Sequence, residues 1–282
     1  MKTKLRSKKG KEVSIGDGSP TAIIGERINP FGRSGIKEAL ERGEIEPILR
    51  VAEEQISDGA DVLNVNVASF GIDEVSVLPF VVGQIMERFD IPLCIETRNR
   101  EALLRTLELG CGKPIVNSVP GEETVMEQIL PIVREYGCCV VLIASDGKGI
   151  PKDPRSRFEI IGRILERAEK EGIPREDIIV DSICESVAIN GKAAINTFET
   201  MKMIKEAWDL NLILGATNVS FGLPSRHLIN VVFLSTAITY GLTCAITNPK
   251  ILKPYIVAAD LVAGRDPLAR RYTAFCKAQR PK

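Results

Sequence analysis

Eight times along the chain, an apolar run of strand length is followed by a stretch with helical periodicity. Most of these runs close on an acid or an amide. They are Ile23-Ile24-Gly25-Glu26, Val62-Leu63-Asn64-Val65-Asn66, Leu93-Cys94-Ile95-Glu96, Ile115-Val116-Asn117, Val140-Val141-Leu142-Ile143, Ile178-Ile179-Val180-Asp181, Leu212-Ile213-Leu214 leading to Asn218, and Cys244-Ala245-Ile246-Thr247-Asn248. A strand–helix unit of about thirty residues, repeated eight times, is what a (β/α)8 TIM barrel needs. The runs are nearly continuous rather than alternating, as expected of parallel strands buried on both faces. Such a barrel carries its chemistry at the C-terminal strand ends, so the terminal acids and amides are expected to converge on one mouth. A ring of that kind suits the hydrogen-bonding edge of a neutral heterocycle.

Helical patterns fill the intervals. Residues 45–56 place Ile45, Ile48, Leu49, Ala52 and Ile56 on one stripe, and residues 75–89, 100–109, 123–136, 157–171, 197–208, 228–240 and 252–262 behave alike. Gly110, Gly137 and Gly172 follow three of these as expected C-terminal caps. No linker or change of composition divides the chain, so residues 21–282 read as a single α/β barrel domain behind a lead-in of residues 1–20. Met1 to Lys11 is basic without the apolar core of a secretion signal, and the lead-in is expected to be solvated and poorly ordered.

Composition excludes several function classes. Lys plus Arg (37) balance Asp plus Glu (37), which gives no sign of nucleic-acid binding. No apolar run approaches the roughly 20 residues that span a bilayer, so no membrane partner is expected. The seven cysteines form no CxxC pair and read as buried, reduced thiols of a cytoplasmic protein. With His227 the only histidine, neither a zinc site nor a histidine-based nucleophile can be assembled, and no bound metal is expected. Gly147-Lys148-Gly149 lacks the phosphate-loop pattern and reads as a flexible loop.

The candidate site residues are the strand-end groups. Asp181 could accept two parallel hydrogen bonds from an amidine-like edge, such as the 2-amino and ring N–H groups of a pterin; a helix cap or an ion pair is an equal alternative for one Asp taken alone. Asn117 and Asn218 each offer a donor and an acceptor on one planar group, although an isolated Asn more often closes a turn. Glu96, Asn64 and Asn66 end two further strands. Glu26 and Arg27 read as a mutual or neighbouring ion pair that shapes the mouth, and Arg226 and His227 as the opening of a helix. Four long βα loops (residues 29–35, 145–155, 186–194 and 220–226) lie on the same face.

Gly25-Glu26-Arg27-Ile28-Asn29-Pro30, Val116-Asn117-Ser118, Val180-Asp181 and, above all, Asn218-Val219-Ser220-Phe221-Gly222-Leu223-Pro224-Ser225-Arg226-His227 resemble the methyltetrahydrofolate:corrinoid protein methyltransferases. These share the pterin-binding barrel of dihydropteroate synthase and of the folate domain of cobalamin-dependent methionine synthase. The resemblance runs from Thr21 to about Ala263. It implies transfer of the N5 methyl group between methyltetrahydrofolate and the cobalt of a corrinoid (cobalamin) carried by a partner protein, with tetrahydrofolate as co-substrate, in a homodimer. It implies pterin contacts at Glu96, Asn117, Asp181 and Asn218, with Asn64 and Asn66 beside them, and a catalytic role near N5 for Asn218. It also implies a corrinoid-protein docking rim on the loops at residues 29–35, 145–155 and 220–226. Two departures from the family pattern stand out. Glu96-Thr97 replaces the usual Asp-Ser, and Leu63-Asn64-Val65-Asn66 replaces the frequent Leu-Asp-Val-Asn. A dihydropteroate synthase-like enzyme is the nearest alternative, but the Arg-x-His of that family's last strand is missing from Cys244 to Lys250. A non-catalytic folate-binding paralogue is the alternative from another class.

Overall fold

A computed structural model describes residues 1–16, 18–31 and 35–279. Eight parallel strands close into a barrel: β3 (Ala22–Ile28), β4 (Val62–Val65), β5 (Leu93–Glu96), β6 (Ile115–Val119), β7 (Cys139–Ile143), β8 (Ile178–Asp181), β9 (Asn211–Gly215) and β10 (Cys244–Thr247). They pair in chain order, and β10 returns to β3. Around them run α1 (Ile36–Arg42), α2 (Glu46–Ser57), α3 (Glu74–Arg88), α4 (Arg100–Leu107), α5 (Glu123–Tyr136), α6 (Pro154–Lys170), α7 (Ala193–Trp208), α8 (Arg226–Thr239) and α9 (Pro249–Val262). The expected (β/α)8 barrel is therefore the fold.

Helix starts differ from the periodic pattern where a cap and a proline extend the helix backwards. Asp153 accepts from the Ser156 N–H at 2.8 Å ahead of Pro154, and Asn248 accepts from the Lys250 N–H at 3.2 Å ahead of Pro249. Proline in the first helical turn needs no N–H partner and has its φ pre-set, so α6 and α9 each begin three residues before the apolar stripe does.

The lead-in is not a solvated tail. Lys2–Arg6 (β1) and Glu12–Gly16 (β2) form an antiparallel hairpin whose Leu5 and Ile15 are fully buried against the barrel's interior cluster. The hairpin is tied down at its ends. Arg6 and Lys113 exchange backbone hydrogen bonds at 3.2 and 2.8 Å, and the buried Asn211 carboxamide donates to Thr3 Oγ1 at 2.9 Å. It plugs the N-terminal end of the barrel. In β1 the exposed Lys2, Lys4 and Arg6 alternate with the buried Thr3 and Leu5, so the basicity of the segment masked a period-two pattern.

A C-terminal helix, α10 (Arg270–Ala278), is likewise added to the expected elements. It is fastened through Asp260 of α9, which is fully buried and accepts from Thr21 N at 3.0 Å, Thr21 Oγ1 at 2.6 Å and Arg271 Nη1 at 2.7 Å. Asp260→Ala leaves a guanidinium and the start of β3 without their shared acceptor. It is expected to cost about 3–5 kcal/mol of unfolding free energy. Urea denaturation of the variant checks this, and a loss under about 1 kcal/mol would show that water replaces the carboxylate.

Candidate active site

Strand parity decides which side chains reach the mouth. Along each barrel strand, inward residues alternate with residues that pack on the helices. The interior cluster contains Ile24, Val62, Cys94, Ile115, Val141, Ile179, Ile213 and Cys244. Two residues further along the same eight strands come Glu26, Asn64, Glu96, Asn117, Ile143, Asp181, Gly215 and Ile246. All eight line one cavity of about 1120 Å³. Asn66 and Asn218 line it as well. Every site residue expected from the sequence is thus brought to one place.

Asp181 makes neither a helix cap nor an ion pair among the described residues. Its Oδ1 accepts from the Ile183 N–H at 2.8 Å. Burial pushes its carboxyl up to about 7, against the opposing pull of that N–H and of the Arg157 guanidinium, and Glu96 adds a further upward push. Beside it, the two departures from the family pattern pair with each other. Asn64 Nδ2 donates to Glu96 Oε2 at 2.6 Å, across the adjacent strands β4 and β5. The extra methylene of Glu96 lets it reach the carboxamide, whereas an acid at position 64 would set two carboxylates within hydrogen-bond distance. Asn64 Oδ1 is buried and has no partner among the described residues. Asn117, one strand further round, has the Cys94 thiol beside its carboxamide. Asn66 spends its oxygen on the Ala68 N–H at 2.8 Å, an Asx turn that shapes the β4–α3 loop.

Asn218 sits opposite, on a 3₁₀ turn of Ala216–Ser220 directly after β9. Gly215 makes room for it, since a Cβ at that position would lie 2.9 Å from Asn218 Nδ2. Arg226, at the start of α8, braces the turn by donating to Thr217 O at 2.8 Å and Ser220 Oγ at 3.0 Å while lying over the Phe221 ring.

Glu26 is a cavity residue that the expected ligand contacts left out. It was grouped with Arg27; both line the cavity, and each takes a different partner. Arg27 reaches Glu54 on α2 at 2.7 Å, and Glu26 turns inward to accept from Thr217 Oγ1 at 2.9 Å. Burial raises the Glu26 carboxyl, with the Thr217 hydroxyl and the Arg226 charge opposing. The available signal was its position two residues after the inward Ile24. His227 bonds Tyr255 Oη at 3.1 Å, and neither residue lines the cavity. The 147–149 segment is a tight turn closed by Asp146 and Gly149, which exchange backbone hydrogen bonds at 3.2 and 2.8 Å. Of the 29–35 loop, residues 32–34 lie outside the described residues.

An eight-stranded parallel barrel with a polar ring at its C-terminal mouth is an architecture that holds a small ligand at that mouth, and a family model narrows the class. The model described as "Pterin binding enzyme" matches residues 25–248, and the chain belongs to that family. Among individual relatives, the chain is similar to a methylcorrinoid:tetrahydrofolate methyltransferase of Eubacterium limosum. The two are 29% identical over 257 residues, which cover 89% of this chain and 94% of that protein. It is also similar to the methionine synthase of Mycobacterium tuberculosis, 28% identical over 264 residues that cover 86% of this chain but only 22% of the longer enzyme. Solved structures that share the barrel include a dihydropteroate synthase from Coxiella burnetii in complex with pteroic acid. Its TM-score is 0.69 at 20% identity, with 93% of this chain and 99% of that chain covered. The Yersinia pestis dihydropteroate synthase has a TM-score of 0.66 at 15% identity over 93% and 99% of the two chains. At those identities the likeness concerns the fold alone.

Proposed function

We propose that the protein is a methyltransferase that moves the N5 methyl group between methyltetrahydrofolate and the cobalt of a corrinoid carried on a partner protein. The observation that carries this reading is the single cavity shared by Glu96, Asn117, Asp181 and Asn218, in a chain similar over nearly its whole length to a methylcorrinoid:tetrahydrofolate methyltransferase.

In this reading Asp181, Asn117 and the Asn64–Glu96 pair hold the pterin edge, with the ionised Asp181 accepting from its 2-amino and ring N–H groups. Asn218 stands near N5. A tertiary amine leaves poorly until its nitrogen gains positive character, and a pre-oriented carboxamide can stabilise that developing charge without itself titrating. The corrinoid cobalt, bound by the partner, supplies the nucleophile or the methyl donor. The remaining contribution of this chain is to hold N5 in line with it. The cavity is somewhat larger than the usual range for small-ligand sites, which leaves space above a bicyclic ring for a second reactant.

The rim supports docking of a protein. Phe31, Ile150 and Phe221, in the three loops expected to meet the corrinoid protein, are exposed, as are Phe70 and Ile189 in the two neighbouring βα loops. Phe70 is fully solvent-exposed and Ile189 is 84% exposed, an unusual arrangement for apolar side chains that cover nothing.

The test is direct. The protein is mixed anaerobically with methyltetrahydrofolate and a cobalt(I) corrinoid, free or protein-bound, and the visible spectrum is followed; the methylated corrinoid and tetrahydrofolate are mixed for the reverse direction. Appearance of the methyl-cobalt spectrum in one direction and its loss in the other is expected. Folate binding by calorimetry with no spectral change for any corrinoid would point to a non-catalytic folate-binding protein. Absence of both would end the folate reading.

A further inference from the structure

Arg157, in the first turn of α6, is completely buried. Its donors go mainly to backbone. Nε donates to the Pro151 carbonyl at 2.8 Å, Nη1 to the Ser182 and Ile183 carbonyls at 3.1 and 3.0 Å, and Nη2 pairs with the Glu185 carboxylate. Thr197 of α7 adds a second donor to the Ile183 carbonyl at 2.7 Å. The segment held in this way follows Asp181 directly. Ile183 has φ of 61°, a left-handed conformation that a β-branched residue adopts only where its surroundings impose it. The Ile183 N–H, in the same peptide unit as the clamped Ser182 carbonyl, reaches back to Asp181 Oδ1. Among the described residues it is the one hydrogen bond to this carboxylate, and Asp181 lines the cavity.

We propose that Arg157 is a positioning residue for Asp181. By clamping the Ser182 carbonyl it orients the peptide unit that carries the Ile183 N–H, and by clamping the Ile183 carbonyl it keeps Ile183 left-handed, so that this N–H fixes the carboxylate in the orientation a bound ligand meets. The ligand half of this inference rests on the folate reading above; the clamp itself does not. The charged and titratable groups around the carboxylate come from several elements: Arg157 from α6, Glu96 from β5, Cys184 from the following loop and Cys244 from β10. The Arg157 guanidinium and the Ile183 N–H both hold the Asp181 carboxyl down against burial. Loss of the clamp therefore raises it.

Arg157→Lys keeps the charge and loses the planar fork, which lysine cannot reproduce at four acceptors. In isotope-labelled protein, the Ile183 amide is expected to exchange with solvent at least about tenfold faster than in the wild type, and the Asp181 carboxyl signal to titrate at higher pH. Methyltetrahydrofolate is expected to bind about tenfold more weakly by calorimetry, the loss of one hydrogen bond to a charged group. Adding Ile183→Gly, for which a left-handed φ is free of strain, is expected to restore amide protection and most of the affinity. Wild-type exchange and titration in Arg157→Lys would overturn the proposal. So would failure of the glycine to rescue, since Arg157 would then be mere core support. If Arg157→Lys does not fold, Thr197→Val takes its place, removing the second donor to the Ile183 carbonyl together with the hydroxyl's bond to Ala193 O within its own helix. Smaller changes of the same sign are then expected, and none at all would overturn the clamp. A wild-type protein that binds no reduced folate, beside a variant that still releases Ile183, would sink the folate reading and leave the clamp standing.

Discussion

Asn218→Ala is expected to slow methyl transfer by about 10²–10³, the usual cost of deleting one pre-oriented hydrogen bond to developing charge. Binding of methyltetrahydrofolate should weaken by less than about tenfold, because a neutral amine in the ground state makes only an ordinary hydrogen bond. The asymmetry follows from how the side chain is held. Asn218 rides on a turn braced by Arg226 through Thr217 O and Ser220 Oγ, and its carboxamide stands over Gly215, where no Cβ intrudes. Such an amide loses little freedom when the charge appears, so its contribution grows along the reaction coordinate rather than being spent on binding. Single-turnover absorbance at the cobalt gives the rate and calorimetry gives the affinity. Equal losses in both would show that Asn218 only binds. Gly215→Ala probes the same support, since the added methyl would lie 2.9 Å from Asn218 Nδ2. A selective loss of rate is expected there too, smaller than that of Asn218→Ala.

The barrel was legible from its eight strand–helix repeats and the ring from the acids and amides that end the strands; inward parity is the physical reason they meet. Residues that end an apolar strand on an inward position have nowhere to go but the mouth, so Glu96, Asn117 and Asp181 could be placed from their strands alone. An adjacent Glu and Arg resemble a mutual ion pair, but here both line the cavity and each takes a different partner, Arg27 with Glu54 and Glu26 with Thr217. What parity cannot give is the loop conformation. Ile183 is an unremarkable apolar residue in sequence, and its left-handed φ depends on Arg157, 26 positions earlier, and on Thr197, 14 positions later. The hairpin was hidden differently. Lys2, Lys4 and Arg6 mark the segment as a solvated basic tail, while the intervening Thr3 and Leu5 are both fully buried. The Asn64–Glu96 bond is a third kind of case. Each residue alone is a departure from the family pattern, and only the side-chain hydrogen bond across the neighbouring β4 and β5 strands shows that they answer each other.

Folate affinity is expected to be constant above about pH 7 and to fall about tenfold for each pH unit below it, because the pterin N–H donors need the ionised Asp181, whose carboxyl burial pushes up to about 7. Asp181→Asn removes this pH dependence. It also sets an amide N–H against the ligand's own donors, so affinity at pH 8 is expected to drop by about 30- to 1000-fold, the loss of charge-assisted bonds together with an unmatched donor. Stability moves the other way. Burial holds the folded carboxyl well above the value of 3.8 that it has in the unfolded chain. Between those two values the unfolded state has released its proton while the folded state still keeps it. Ionisation of Asp181 therefore works against folding, increasingly as pH rises from about 4 to 7, and fully above that. The Asn variant consequently gains unfolding free energy at pH 8, and the gain shrinks as pH falls through this window. Calorimetric titrations from pH 5.5 to 8.5 and urea unfolding at pH 5 and 8 test both halves. A pH-independent affinity in the wild type would mean that Asp181 binds as the acid or does not touch the ligand. A variant no more stable at pH 8 than at pH 5, relative to wild type, would mean that the buried charge is already satisfied before the ligand arrives.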